Sequence, residues 1–159
     1  MHPRAAELLK LLCMSPHPEG GHYVQLYRSA DLVRQIARDV ERAAITTIYF
    51  LLAAGEHSRW HRVQSDEIWH YNEGDAIELL LFDDNGFRRV GLGPVARETR
   101  PTVVVPAGTW QAARSTGAYT LCGCTVGPGF EFEDFSLAGD WPEIAAKIAS
   151  AGQDLAKFI

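Results

Sequence analysis

Three side chains of this sequence, His61, Glu67 and Gln111, are of types and at spacings that could hold a metal ion or move a proton. His61 and Glu67 lie in the segment 55–74, which begins and ends with glycine, and Gln111 closes the segment Pro106–Gln111. An imidazole titrates near ~6.5, so His61 can take or give a proton at neutral pH. His61 is therefore the strongest candidate for a catalytic residue.

A metal site needs three or four nitrogen or oxygen ligands around one point. His61, Glu67 and Gln111 supply at most three, and an amide is a weak ligand. Val63, two residues after His61, offers no ligand at all. We therefore expect no cofactor, and a divalent metal at His61, Glu67 and Gln111 is the alternative. The residues that could complete such a site are Glu78, His57, His17 and His22.

Aromatic residues follow Glu67 at alternate positions. In a β-strand, Glu67, Trp69 and Tyr71 share one face, and His70 lies on the other. This pattern predicts an aromatic wall beside a carboxylate, which suits a ring-shaped or sugar-like ligand. Small barrels of about 8 strands are often filled by side chains, so the competing interpretation is that Trp69 and Tyr71 simply fill the core.

Composition excludes several classes of partner. The chain has 159 residues and a net charge of −5, with no dense basic run, which argues against nucleic acid. It has no apolar run of the roughly 20 residues that span a bilayer, and its first residues lack a signal-peptide pattern. Three cysteines without metal spacing favour a reducing, cytoplasmic location. Central arginines such as Arg59 could hold a carboxylate or phosphate of a small ligand.

Short strands separated by turns dominate the pattern. Leucines at helical spacing predict a helix over 3–12, and Asp140 is a plausible N-cap for a helix over 140–148. Asn85-Gly86 between two strand-like runs predicts a hairpin. The sequence thus predicts an all-β barrel or sandwich with flanking helices in one domain, 1–159, with a core of about 16–137. The predicted strands are 22–28, 44–52, 67–72, 76–82, 87–92, 102–105, 111–115 and 119–126.

The two segments with His61, Glu67 and Gln111 resemble the two signature motifs of the cupin superfamily, with Val63 and Gln111 where the family pattern has histidines. The chain is similar in particular to the domain of unknown function 985 branch (Cupin 5). The stretches that carry this resemblance are 17–23, 61–70, 105–113 and 123–135. The resemblance implies a double-stranded β-helix, that is, a jelly-roll barrel, with short N- and C-terminal helices, often paired as a homodimer.

The fold implied is also similar to that of nucleotide-sugar 3,5-epimerases, cupins in which a histidine removes a proton next to a sugar ketone and a tyrosine returns one. By this resemblance His61 is the base, Glu67 or an arginine holds the enolate or its counter-charge, and Tyr71, Tyr49 or Tyr119 is the acid. The residues that we assign to binding of a carbohydrate-like substrate are Trp69, Gln111, Tyr49, Glu19 and Arg59.

Three hypotheses of function follow. The first is a metal-free isomerase or epimerase acting on a carbohydrate-like molecule or sugar nucleotide. The second is a metal-dependent cupin, such as a dioxygenase or lyase, and the third is a binding protein without catalysis. Because an amide is a better hydrogen-bonding group than metal ligand, Gln111 favours the first and third.

Overall fold

The computed structural model describes all residues, 1–159, and is built almost entirely of antiparallel strands. Three helices lie outside the strands: α1 (Pro3–Leu11), α2 (Pro142–Ala151) and α3 (Gln153–Ala156), with 3₁₀ turns at Phe132–Asp134 and Ala138–Asp140. None of these helices could span a membrane. The strands are β1 (Ser15–Pro16), β2 (His22–Arg28), β3 (Leu32–Gln35), β4 (Val40–Ala43), β5 (Thr46–Ala53), β6 (His57–Val63), β7 (Asp66–Gly74), β8 (Ile77–Asp83), β9 (Gly86–Leu92), β10 (Thr99–Arg100), β11 (Thr102–Val105), β12 (Trp110–Ser115), β13 (Tyr119–Gly127) and β14 (Phe135–Leu137).

The strands form two six-stranded sheets, in the orders β1-β2-β5-β13-β7-β11 and β10-β9-β8-β12-β6-β14. β3 and β4 form a separate hairpin. The largest core cluster draws Phe50 and Trp69 from the first sheet and Leu79 and Leu92 from the second, so the two sheets pack face to face. This arrangement confirms the predicted all-β jelly-roll with short terminal helices.

Helices cover the outer face of each sheet. In β5, Phe50 and Leu52 point into the barrel, while Leu51 and Ala53 pack against Ala5 and Leu8 of α1. Because both faces are covered, the strand reads as a continuous apolar run. On the other sheet, the outward-facing Trp60, Leu80 and Trp110 pack against residues of α2, α3 and the C-terminal end: Ile148, Leu155 and Phe158.

Local signals in the sequence confirm some elements and mislead at others. The hairpin at Asn85-Gly86 joins β8 to β9, and Gly86 has a positive φ of 97° that suits glycine. The C-terminal helix starts at Pro142, and its preceding residue, Trp141, makes no side-chain cap hydrogen bond. Asp140 is therefore not an N-cap, because it lies in the preceding 3₁₀ turn. The hairpin of β3 and β4 was not predicted.

Candidate functional site

A cavity of about 240 Å³ opens between the two sheets. The segment before β2, strands β2, β5, β6, β7 and β13, and the segment 130–135 form its walls. Apolar and aromatic side chains make up most of the lining, and the acidic and imidazole groups lie on one side of it. The lining residues are His17, Glu19, Tyr23, Gln25, Thr46, Ile48, Phe50, His61, Val63, Glu67, Cys124, Val126, Phe130, Phe132 and Phe135.

His61 lies on β6 and is only 2% exposed. Its Nδ1 is 2.8 Å from the carbonyl oxygen of Arg59, and a carbonyl can only accept, so Nδ1 carries the proton. Nε2 therefore presents a lone pair, and it lies 3.3 Å from Oε2 of Glu19. Burial lowers the pKa of His61, although the nearby Glu67 carboxyl and the Arg59 carbonyl oppose that change.

Glu19 is 6% exposed and lies against two ring nitrogens. Its Oε1 accepts a hydrogen bond from Ser58 Oγ at 2.9 Å. Its Oε2 is 3.3 Å from Nε2 of His61 and 3.4 Å from Nδ1 of His17, and His17 Nδ1 already accepts from the Glu19 backbone N–H. A proton on Oε2 could be donated to one of these two ring nitrogens. Burial raises the pKa of Glu19 to about 7, against the opposing effects of His17, Ser58 and Arg59.

A tight turn holds Glu19 in this position. The backbone N–H of Gly20 donates to His17 O, and the N–H of Arg59 donates to Glu19 O at 2.8 Å, which docks the turn on β6. Gly20 has a φ of +111°, and a Cβ there would lie 2.2 Å from the carbonyl oxygen of His57. Only glycine fits this position, and the turn over His17–Gly21 therefore holds Glu19 beside His61.

Glu67 is 7% exposed, and its Oε2 accepts a hydrogen bond at 2.5 Å from Nε2 of Gln111. The Cys124 thiol is the other hydrogen-bonding neighbour of this carboxyl, and no cationic side chain pairs with it. Burial raises the pKa of Glu67 to about 7, and Glu19 acts in the same direction, while His61, Gln111 and Cys124 oppose it. In both carboxyls, burial outweighs the neighbouring groups that favour the ionised form, so the pKa values of Glu19 and Glu67 are raised alike.

Gln111 lies behind Glu67 and does not line the cavity. Its Oε1 accepts from Trp69 Nε1 at 3.0 Å while its Nε2 donates to Glu67, so both ends of the amide are used. The expected contact of Gln111 with a ligand stays a prediction, and in this structure the Gln111 amide holds Glu67. Trp69 donates to the same amide and packs in the core, as the core-filling interpretation describes.

The predicted tyrosines also lie away from the cavity. Tyr71 shares the inward face with Glu67, but its hydroxyl donates to Gly74 O at 2.6 Å. Tyr119 donates to Glu73 at 2.8 Å, and Tyr49 packs with the cluster under α1 on the outer face. The role of acid assigned to one of these tyrosines therefore stays a prediction, and none of the three lines this cavity.

Arg59 lies outside the cavity as well. Its guanidinium donates to Pro18 O at 2.5 Å and lines a shallow surface groove on the other side of Glu19. No lysine or arginine lines the cavity. Of the predicted site residues, the structure brings together His61, Glu67 and Glu19, and it leaves out Tyr71, Trp69, Gln111, Tyr49 and Arg59.

Aromatic residues that the sequence did not mark as site residues complete the walls. Tyr23 lines the cavity and meets His17 edge to face, with ring centroids 4.7 Å apart. Phe135 stacks on His61 at 5.5 Å. The only sequence signal for these residues was their place in the stretches 17–23 and 123–135.

A salt-bridge network fixes the segment that carries the phenylalanines. Asp134 has a side chain that is 1% exposed and contacts Arg42 at 2.7 Å and Arg38 at 2.6 Å. These arginines hold the pKa of Asp134 at about 2, well below its usual value. The β3–β4 hairpin and the loop that follows β3 thus anchor the aromatic cover of the cavity.

The residues at the cupin metal positions do not fit a metal ion. Val63 carries no ligand atom, and both ends of the Gln111 amide are hydrogen-bonded within the protein. No group of three or more His, Cys, Asp and Glu side chains has an arrangement that could hold a metal ion.

Comparisons with known proteins identify the fold and the family. The sequence model of Cupin_5, described as cupin superfamily (DUF985), matches residues 6–138. A hypothetical protein from Leishmania major is 32% identical over 87% of this chain and 93% of its own, with a TM-score of 0.76. Protein SO0799 from Shewanella oneidensis is 34% identical over 84% of this chain and 83% of its own, also with a TM-score of 0.76.

More distant structures share the fold alone. An oxalate decarboxylase variant from Bacillus subtilis is 14% identical over 84% of this chain and 34% of its own, with a TM-score of 0.59. No functionally curated protein matches the sequence. The chemistry must therefore be argued from the cavity itself.

Proposed function

Since the chain belongs to the DUF985 (Cupin_5) branch of the cupin superfamily, we propose that it is a metal-free isomerase, of the epimerase type, acting on a small carbohydrate-like molecule. The reaction is a proton transfer at a carbon next to a carbonyl group. The barrel supplies a partly open cavity, and its acidic and imidazole side chains supply the acid and the base.

One observation carries this proposal. Two buried carboxyl groups share the cavity: Glu19, whose Oε2 lies 3.3 Å from His61 Nε2 and 3.4 Å from His17 Nδ1, and Glu67, which is held by Gln111. A carboxyl that is near half-protonation at working pH can either take a proton or give one. The pKa of each is raised to about 7, where a general acid or base is most effective at neutral pH.

The roles follow from the hydrogen bonds. Glu67 removes the proton from carbon through Oε1, and Gln111 holds its other oxygen in place. The Glu19–His61 pair supplies a proton to the resulting enolate, with His61 fixed by the Arg59 carbonyl. The C–H bond breaks, a C–H or O–H bond forms from the pair, and the roles of acid and base exchange in the reverse direction. The resemblance gave Tyr71, Tyr49 or Tyr119 the role of acid, but Tyr23 is the tyrosine that lines this cavity.

The size and charge of the cavity restrict the substrate. Pockets for drug-sized ligands usually have volumes of about 300–1,000 Å³, so a cavity of about 240 Å³ accepts roughly one ring. Phosphate groups are normally held by arginine, lysine or backbone N–H groups, and no arginine or lysine lines this cavity. The nucleotide portion of a sugar nucleotide would therefore lie outside it.

We further propose a homodimer in the cytoplasm. Apolar side chains on β2 and on the β3–β4 hairpin are exposed, among them Tyr27 at 54%, Leu32 at 62% and Ile36 at 91%. The outer edge of β2 beyond Tyr23 pairs with no other strand. Three free cysteines support the cytoplasmic location. Sedimentation velocity of the purified protein tests the dimer, and a monomer at micromolar concentration contradicts it.

The test of catalysis is deuterium incorporation from D₂O into dihydroxyacetone, D-fructose and D-glucosamine, followed by ¹H NMR. Because general acid–base groups contribute about 10²–10⁴-fold to a rate, Glu67→Gln and His61→Gln should each slow exchange by about 100-fold or more. His70→Gln is the matched control, since His70 lies on the opposite face of β7. Exchange no faster than in buffer, or equal rates in Glu67→Gln and wild type, contradicts the proposal. A wild type that binds these sugars without exchange favours a binding protein instead.

A further inference from the structure

The cavity has an excess of acidic groups and no basic counter-charge. Glu19 and Glu67 are both more than nine-tenths buried, and both line the cavity. Arg59, the arginine that most affects Glu19, lies in the surface groove behind it and donates to Pro18 O. A buried carboxylate normally has a charged or strongly hydrogen-bonding partner, and here the chain gives Glu67 only the neutral Gln111 amide and the Cys124 thiol.

Part of the cavity lining is aromatic, and its three phenylalanines are not stacked on one another. The rings of Phe130 and Phe132 meet at 82° with centroids 5.1 Å apart, and those of Phe132 and Phe135 at 78° and 6.4 Å. Phe130 and Phe135 meet at 67°. These steeply inclined rings form a corner, in which Phe132 and Phe135 stack on His17 and His61 and Phe130 stacks on no other ring. The negative face of an aromatic ring attracts a cation within about 6 Å of its centroid.

From a buried carboxyl that has no cationic partner and from the aromatic corner, we propose that the substrate of this cavity carries a positive charge, an ammonium group on a small ring or chain. The ammonium lies between Glu67 and the phenylalanine corner, and the rest of the molecule is held near Glu19 and His61. An amino sugar or an amino alcohol of similar size has this chemistry. This inference rests on the proposed function, because it names the substrate class of the same cavity.

Binding of a cation also sets the protonation of the site. The groups that face Glu67 are His61 on β6, Gln111 on β12, Cys124 on β13 and, from the segment before β2, Glu19. His17 and Tyr23 complete the ionisable groups of the cavity. A cation favours the ionised form of Glu67, whose pKa of about 7 leaves it largely protonated at pH 6. Affinity for a cation should therefore rise as pH rises from 6 to 8, with release of a proton on binding below pH 7.

The test compares two molecules of the same shape, choline and its neutral isostere 3,3-dimethyl-1-butanol, by isothermal titration calorimetry at pH 6 and pH 8. A desolvated cation on aromatic faces gains enough to bind at least about tenfold more tightly than the neutral isostere at pH 8. Glu67→Gln should remove most of this preference while leaving the affinity for the neutral isostere within about twofold, which also shows that the cavity is folded. Glu133→Gln, an exposed change near the cavity, should bind both probes as wild type does.

Equal affinities for the two probes, or no binding of choline at millimolar concentration, overturn the inference. A preference for choline that survives Glu67→Gln also overturns it, since the cation then lies elsewhere. If choline fails while wild type still exchanges deuterium into neutral ketoses, only the charge of the substrate is refuted. If choline binds as expected while no sugar exchanges, the catalytic proposal fails and the cation site stands.

Discussion

Replacing Glu67 with glutamine should stabilise the protein at high pH but not at low pH. The side chain is 7% exposed, and burial raises its pKa from 4.5 to about 7. A carboxyl with a raised pKa holds its proton more tightly in the folded state than in the unfolded state. Stability is therefore highest below pH 4.5, falls as pH rises between 4.5 and about 7, and is constant above that range.

The magnitude follows from the same values. One pKa unit corresponds to about 1.36 kcal/mol, so the ionised Glu67 costs about 3 kcal/mol of unfolding free energy above pH 7. Glutamine cannot ionise, and its side-chain oxygen still accepts the hydrogen bond from Gln111. The difference in unfolding free energy between Glu67→Gln and wild type should therefore increase by up to about 3 kcal/mol from pH 5 to pH 8. Comparing the two pH values cancels the part of the effect that does not depend on pH.

Urea unfolding followed by tryptophan fluorescence measures this difference. Glu133→Gln is the control, because the side chain of Glu133 is 83% exposed. His70→Gln is a second control, because His70 lies on the face of β7 opposite Glu67 and its replacement should leave the pH profile unchanged. If the gain from Glu67→Gln is the same at pH 5 and pH 8, Glu67 is not a buried carboxyl with a raised pKa, and the reasoning fails.

Three further predictions concern the cover, the C-terminal helices and the metal. Asp134→Ala should cost about 3 kcal/mol of unfolding free energy, because it leaves Arg42, whose side chain is 10% exposed, without its main partner. Urea unfolding measures this loss. A loss below about 1 kcal/mol, which is typical of a surface ion pair, would contradict the prediction. Leu155→Ala should cost about 2–5 kcal/mol because it opens the cluster around Trp60, and a loss no larger than that of an exposed substitution such as Lys157→Ala would show that α3 is not docked. Protein purified without a histidine tag should contain far less than one equivalent of Fe, Mn, Ni or Zn by plasma mass spectrometry, since Val63 and Gln111 offer no strong ligand; a full equivalent would show that other ligands complete the site.

Much of the barrel could be predicted from local patterns. Alternation and turn residues indicate the strands, because the side-chain period of a strand is fixed by backbone geometry. The same period correctly places Glu67, Trp69 and Tyr71 on one face. The period does not indicate, however, how far along the strand the cavity extends. Tyr71 is four residues from Glu67, about 13 Å at ~3.3 Å per residue, and so it lies beyond the cavity.

The rest of the site depends on contacts between distant segments. Glu19 and His61 meet because a glycine turn docks on β6, and the resemblance could place Glu19 near the site without indicating its contact with His61. The phenylalanine corner comes from residues 130–135, which the Arg38 and Arg42 contacts to Asp134 fix in place. Neither contact has a periodic signal, so alternation alone could not reveal it.

The most direct test of the central claim is the titration of the two cavity carboxyl groups in the folded protein. In protein labelled with ¹³C at the glutamate side chains, the Cδ signals of Glu19 and Glu67 can be assigned through Glu19→Gln and Glu67→Gln. The account predicts that both change with midpoints near pH 7, well above the ordinary value of 4.5. Midpoints near 4.5 for both groups would contradict it, because neither could then hold the proton that the proposed reaction requires.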